Sequence, residues 1–268
     1  MSATSSGDFH QQSTAGRCSV ALRPAPRRGP SAWWSRPGAF AAHPIGLDLV
    51  RAAFAGRGVG TDAGSPGVRA GAEPPRATDP GEGDVDLPWQ DPRPAAVLCA
   101  LFEEEGLARV VLTRRSGSLR SHAGEVSLPG GRLDPGERAL DAALREAREE
   151  VGLEPDLVEV LGELRPLSTR SSREAIRPFV GALGRRPELR ANADEVDRVF
   201  TVALSDLVLP GVHHVEVRGP DAGGHPGIST RSDPARTVHF FEISGETIWG
   251  ATARILADLL DLVLAPAR

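Results

Sequence analysis

The stretch from Gly131 to Leu153, GRLDPGERALDAALREAREEVGL, constrains this chain more than any other. It reads without a gap as G-x5-E-x7-R-E-U-x-E-E-x-G-U, where U is an apolar residue, here Ala147 and Leu153. Leu140, Ala143, Leu144, Ala147 and Val151 recur at helical spacing, which predicts an amphipathic helix with its apolar stripe on a core. At about 100° per residue, Glu146, Glu149 and Glu150 fall together in a separate sector of the same helix. Like charges one turn apart cost an ordinary helix about 0.2–0.5 kcal/mol per pair, so the patch calls for a counter-charge. An all-oxygen, carboxylate-rich site suits Mg²⁺ or Mn²⁺, which bind through a few carboxylates and substrate phosphates. Asp134-Pro-Gly136 supplies a turn into the helix and Gly152 a left-handed stop, which makes the unit loop, helix, loop. The plainer alternative is a solvated acidic face on a packed helix.

These residues fill every fixed position of the Nudix box, so the stretch resembles the signature of metal-dependent hydrolases of nucleoside diphosphates linked to another group. The resemblance implies an α/β protein with the Nudix fold, an α/β/α sandwich whose mixed sheet lies between helices. It implies Glu146, Glu149 and Glu150 as metal ligands, with Glu146 as ligand or base. Arg145 would hold a carboxylate in place, and Glu137 would support the loop or a second metal.

Immediately ahead of the box, Val111–Gly131 reads VLTRRSGSLRSHAGEVSLPGG. Arg114, Arg115, Arg120 and His122, set among Ser and Gly and followed by Gly130 and Gly131, offer cations and backbone N–H groups suited to phosphate. The pattern L-T-x-R-S-x3-R-x3-G-x3-L-P-G-G resembles the second motif of the coenzyme A pyrophosphatase branch, with Val111 where that branch has Leu or Phe. That resemblance implies hydrolysis of coenzyme A or a derivative to 4′-phosphopantetheine and adenosine 3′,5′-bisphosphate. The alternatives are a Nudix hydrolase of NADH, ADP-ribose or a damaged nucleotide, and a regulatory Nudix-like module without catalysis. Lost carboxylates would betray the latter, and none is lost.

The remainder of the 268 residues sets the context. A net charge of −5 gives no general affinity for nucleic acid, so the expected partner is a small molecule; a homodimer stays open. All 31 basic residues are Arg, a bias of GC-rich coding that fits a bacterial-type cytoplasmic protein. Residues 1–86 are rich in Ser, Gly, Ala, Pro and Arg and read as a disordered extension, at most weakly helical near Leu47–Phe54. The stretch between Asp8 and Asp48 has no acid and five arginines, which also fits an organelle transit peptide, the less favoured reading. No apolar run is long enough to span a membrane. Residues 87–268 form the expected domain: a hairpin of Ala95–Phe102 and Leu107–Thr113, strands at Leu157–Leu164 and Ile176–Leu183, a loop turning into a strand over Ala191–Val202, and a second hairpin around a loop at Gly219–Arg236. The closing helix runs from Gly250 to Leu264. Glu195 is either a further carboxylate for the metal site or a solvated loop acid. His213-His214 reads as strand surface, and Cys99 as a small core residue.

Overall fold

The computed structural model describes residues 33, 44–57, 92–118, 122–169, 173–218 and 236–265. In chain order these form α1 (Leu47–Phe54), β1 (Arg93–Glu104), β2 (Leu107–Arg115), β3 (Val126–Ser127), β4 (Gly130–Arg132) and α2 (Ala139–Val151). A 3-10 turn at Pro155–Leu157 leads to β5 (Val158–Glu163), β6 (Leu167–Ser168), β7 (Glu174–Leu183), β8 (Val196–Ala203) and α3 (Leu204–Leu207). The chain continues through β9 (His213–Arg218), β10 (Arg236–Ile243), β11 (Glu246–Trp249) and α4 (Gly250–Val263).

The β1–β2 hairpin expected from the sequence closes through Glu105 and Gly106, both with positive φ (54° and 76°). That combination defines the type I′ turn whose twist matches antiparallel strands. β1 lies at the centre of the larger sheet, antiparallel to β2 and β4 and parallel to β7, so the sheet is mixed. β5 extends it beyond β7, and β8 pairs with β2. Side chains alternate along β1 as strand geometry requires. Ala96, Leu98, Ala100 and Phe102 pack with α2, while Ala95, Cys99 and Leu101 pack with α1 and α4 on the other face. Burial pushes the Cys99 thiol up to about 12, consistent with its expected role as core filler. A smaller antiparallel sheet, β11-β10-β9, packs on α4.

Part of the chain ahead of the expected boundary at Leu87 is folded onto the domain. Ile45, Leu47, Val50 and Phe54 are all buried in the core on the α4 side. The segment is bound in by Ala108 N–H donating to Ile45 O (2.7 Å), Ile45 N–H to Ser205 Oγ (2.8 Å) and Leu47 N–H to Glu103 Oε2 (2.9 Å). Trp33, also buried, has its ring 4.7 Å from that of His213. His213 is therefore half-buried in an aromatic cluster rather than on the strand surface, and only His214 is exposed. His213 Nε2 lies 3.1 Å from His239 Nδ1, and burial, aided by the His214 charge, lowers the His213 pKa to about 4. Cys18 and the loop over residues 219–235 fall outside the described residues.

Candidate active site

α2 forms where the spacing predicts, and it ends at Gly152 in the left-handed region (φ 72°), as expected. Its buried face is turned from the expected stripe: Ala139, Ala142, Ala143, Ala147 and Val151 are buried, while Leu140 and Leu144 are only partly covered. Glu150 lies on this buried face at 2% exposure, whereas the helical wheel sets it in an acidic sector separate from the apolar stripe. Small alanines bring α2 close to the sheet, and the first residue of β4 meets Glu150 there. Gly130 N–H donates to Glu150 Oε2 at 3.2 Å. Gly130 itself has φ 153°, and a Cβ there would collide with Ala96 O. A Cβ on Gly131 would fall 2.5 Å from the Glu146 carboxyl carbon, so both glycines make room for the carboxylates.

Glu146, Glu150 and Glu195 each bring an oxygen within 4.8 Å of the others. Glu195 reaches the helix from the turn before β8, where Ser116 N–H donates to Glu195 O (2.8 Å) and ties that turn to the end of β2. Burial raises the Glu150 carboxyl to about 7, against the Gly130 bond and the Arg115 charge; Glu146 and Glu195 push it further up. Burial also raises Glu146, which the Arg145 hydrogen bond opposes. Among the described residues these three carboxylates, one of them buried, meet Arg145 on Glu146 (3.0 Å) and Arg115 at 3.8 Å from Glu150, a donor set still short of positive charge. Their all-oxygen chemistry fits a hard divalent cation such as Mg²⁺ or Mn²⁺.

Glu149 stands apart. It is exposed and accepts from Arg145 Nη1 at 3.0 Å, outside the cluster that Glu195 completes. Arg145 is the organiser of this face. Its Nε and Nη2 grip the two oxygens of Glu137 (2.8 and 3.0 Å), its Nη1 also reaches Glu146 Oε1 (3.0 Å), and Nη2 donates to Arg132 O (3.1 Å). The guanidinium holds the Glu137 carboxyl below its usual range, and Asp134 N–H adds a bond at 2.9 Å.

The cations of the preceding motif divide. Arg115 turns to Glu150, and His122 pairs with Glu125 (2.9 Å). Arg114 projects from the other face of the sheet to Glu246 at 3.1 Å, away from the carboxylate cluster. Arg120 lies outside the described residues. Glu246, buried in β11, had no signal in the sequence, because its role depends on the small sheet meeting β2 and β8.

The loop-helix-loop on a mixed sheet, with carboxylates gathered at the helix, defines a Nudix architecture, and sequence comparison agrees. The NUDIX domain family model matches residues 92–218. A Photorhabdus laumondii protein described as an uncharacterized Nudix hydrolase NudL is 39% identical over 156 residues, 58% of this chain and 76% of the relative. A Pectobacterium atrosepticum protein of the same description is 33% identical over 174 residues, 64% of this chain and 83% of the relative. Among solved structures, an Ap4A hydrolase of C. elegans in a binary complex aligns with a TM-score of 0.38 and 21% identity, over 42% of this chain and 83% of that one. The chain belongs to the Nudix hydrolase family. No helix among the described residues is long and apolar enough to cross a membrane.

Proposed function

We propose that this chain hydrolyses the pyrophosphate bond of coenzyme A or a derivative, releasing 4′-phosphopantetheine and adenosine 3′,5′-bisphosphate. The observation that carries the reading is the second motif, Leu112–Gly131, running in register into the box, with its Arg115 and Gly130 both against Glu150. Glu146, Glu150 and Glu195 would hold Mg²⁺ or Mn²⁺, and a bound ion supplies a more acidic water and charge for the phosphate oxygens. Glu149, exposed at the rim, would join them only by leaving Arg145. Glu146, half-buried and raised in pKa, is suited to take a proton from the attacking water. Arg145 fixes the rotamers of Glu137 and Glu146, and Arg115, with Arg120 and His122 from the same loop, would meet the diphosphate. The substrate is a free small molecule, and the setting in which it is met is the cytoplasm.

Incubating the full chain with Mg²⁺ and a panel of coenzyme A, NADH, ADP-ribose and nucleoside triphosphates, with products resolved by chromatography, tests the reading. Preferential release of adenosine 3′,5′-bisphosphate is expected. Faster cleavage of any other panel member overturns the coenzyme A assignment, and no cleavage at all overturns catalysis.

A further inference from the structure

Arg114 on β2 and Arg198 on β8 stand directly opposite one another in an antiparallel pair. Cβ atoms so placed lie about 5 Å apart, and like charges there repel. The arrangement is held by Glu246, a carboxylate only 9% exposed, from the first position of β11. Arg114 Nη1 donates to Glu246 Oε1 at 3.1 Å and Oε2 at 3.4 Å, and Arg198 Nη1 lies 3.5 Å from Oε1. The Arg198 guanidinium is also seated over the Phe200 ring, 5.1 Å from its centroid. Both arginine side chains keep about half their surface, 45% and 54%, so donors not used by Glu246 remain accessible. Two cations on one buried carboxylate leave a positive charge in excess, in a chain whose net charge is −5.

This group is separate from the carboxylate cluster. Strand alternation sends Arg115 to Glu150 on the α2 face and Arg114 to the opposite face, with Val110 and Leu112. Nothing in the proposed chemistry uses it.

We infer that Arg114 and Arg198, braced by Glu246, form an anion site for a phosphoryl group. Planar guanidinium forks match the spacing of phosphoryl oxygens, and a brace of Phe200 and Glu246 holds both forks before the ligand arrives. The same chemistry serves inorganic phosphate or a second phosphate on a nucleotide, and the test separates them.

Isothermal titration of the full chain without metal, using inorganic phosphate, AMP and adenosine 3′,5′-bisphosphate, reads binding apart from turnover. Failure here therefore leaves the coenzyme A reading standing, and the reverse. Arg198→Gln is expected to weaken binding about fivefold, a half-exposed charge-assisted contact being worth about that much. Arg114→Gln should act in the same direction. A loss confined to the bisphosphate assigns the site to a nucleotide's second phosphate; a loss that includes inorganic phosphate assigns it to a free phosphoryl anion. Arg186→Gln is the charge control: Arg186 is 69% exposed and paired with Glu104, at the far end of the β1–β2 hairpin. The inference is overturned if the wild type binds none of the probes, if both site variants bind like wild type, or if Arg186→Gln loses as much as they do.

Discussion

α1 and α2 pack on opposite faces of the same sheet, and they do it with different residues. α1 is eight residues long and grips with bulk: Leu47, Val50 and Phe54 are buried, and a Cβ on Gly162 would come 2.7 Å from the Phe54 ring. α2 is thirteen residues long and buries alanines, Val151 and one carboxylate. Bulky residues on α1 gain transfer free energy, about 1.5–3 kcal/mol for each large side chain buried. Alanines on α2 gain little by that route. They let the backbone approach, and the approach places Glu150 against Gly130. One helix stabilises the sheet; the other accepts a cost, a buried acid with its pKa raised, at the place where the proposed metal site needs a charge.

The sharpest test of that contrast is Glu150→Gln, which keeps the shape and the acceptor for Gly130 N–H but removes the charge. Turnover at saturating Mg²⁺ should fall by about a thousandfold, on the order of 4 kcal/mol of transition-state stabilisation. Metal-free stability at pH 8 should hold or rise, since no buried charge remains. Steady-state kinetics beside thermal melts decide it: retained turnover would remove Glu150 from the metal site, and a large drop in melting temperature would make it a structural residue.

Phe54→Ala should do the opposite, costing about 3–4 kcal/mol in denaturant unfolding while kcat per folded molecule is kept. A truncation beginning at Leu87 removes all of α1 and should fail to fold as the wild type does. If that truncation melts like the full chain, α1 is an accessory and the comparison breaks.

What was readable in advance follows the same division. The α2 unit announced itself because seven fixed residues at set offsets must satisfy a turn, a helix and a helix stop at once. α1 shows only as a weak helical tendency, since three apolar residues in a short segment do not stand out from a Gly- and Pro-rich background; the segment is held by Glu103, Ala108 and Ser205, distant in sequence. Glu149 lies in the acidic sector that the helical wheel marks out, but its pairing with Arg145 Nη1 at 3.0 Å is a contact that sector and charge do not encode. The sequence around Glu195 fits both a metal-site carboxylate and a solvated loop acid, because its place depends on the pairing of β8 with β2, a long-range register that no local pattern encodes. The mixed sheet likewise rests on the parallel β1–β7 pair, whose partners are 81 residues apart, as at Arg93 and Glu174.

A pH titration sharpens the contrast at lower amplitude. The Glu150 carboxyl is near 4.5 when unfolded and about 7 in the metal-free fold, so between these values the native state binds more protons. Metal-free stability should therefore fall as pH rises through that window, by on the order of 3 kcal/mol when complete. A cation needs the ionised form, so the Mg²⁺-induced rise in melting temperature should be small at pH 5.5 and full by pH 8. Scanning fluorimetry with and without Mg²⁺ at those values checks the sign. A shift of equal size at both would mean that Glu150 is not the titrating ligand.

The smallest effect compares two arginine grips, one on each helix. Arg51 of α1 holds Glu159 through Nε (3.2 Å) and Nη2 (2.8 Å), both on the same oxygen. The side chains are 37% and 58% exposed. Arg145 of α2 holds Glu137 fork to fork, at 28% and 15% exposure, and the same guanidinium reaches Glu146. Water and salt screen the first pair, so Glu159→Gln should change stability by less than about 0.5 kcal/mol and leave kcat alone. Glu137→Gln should cost about 1–2 kcal/mol, because the grip is less exposed and a fork loses its charged partner. It should also lower kcat, since Arg145 no longer has a fixed base from which to orient Glu146. Equal, small effects of the two substitutions on both readouts would show that the Arg145 network is surface decoration, and that only the cluster of Glu146, Glu150 and Glu195 separates α2 from α1.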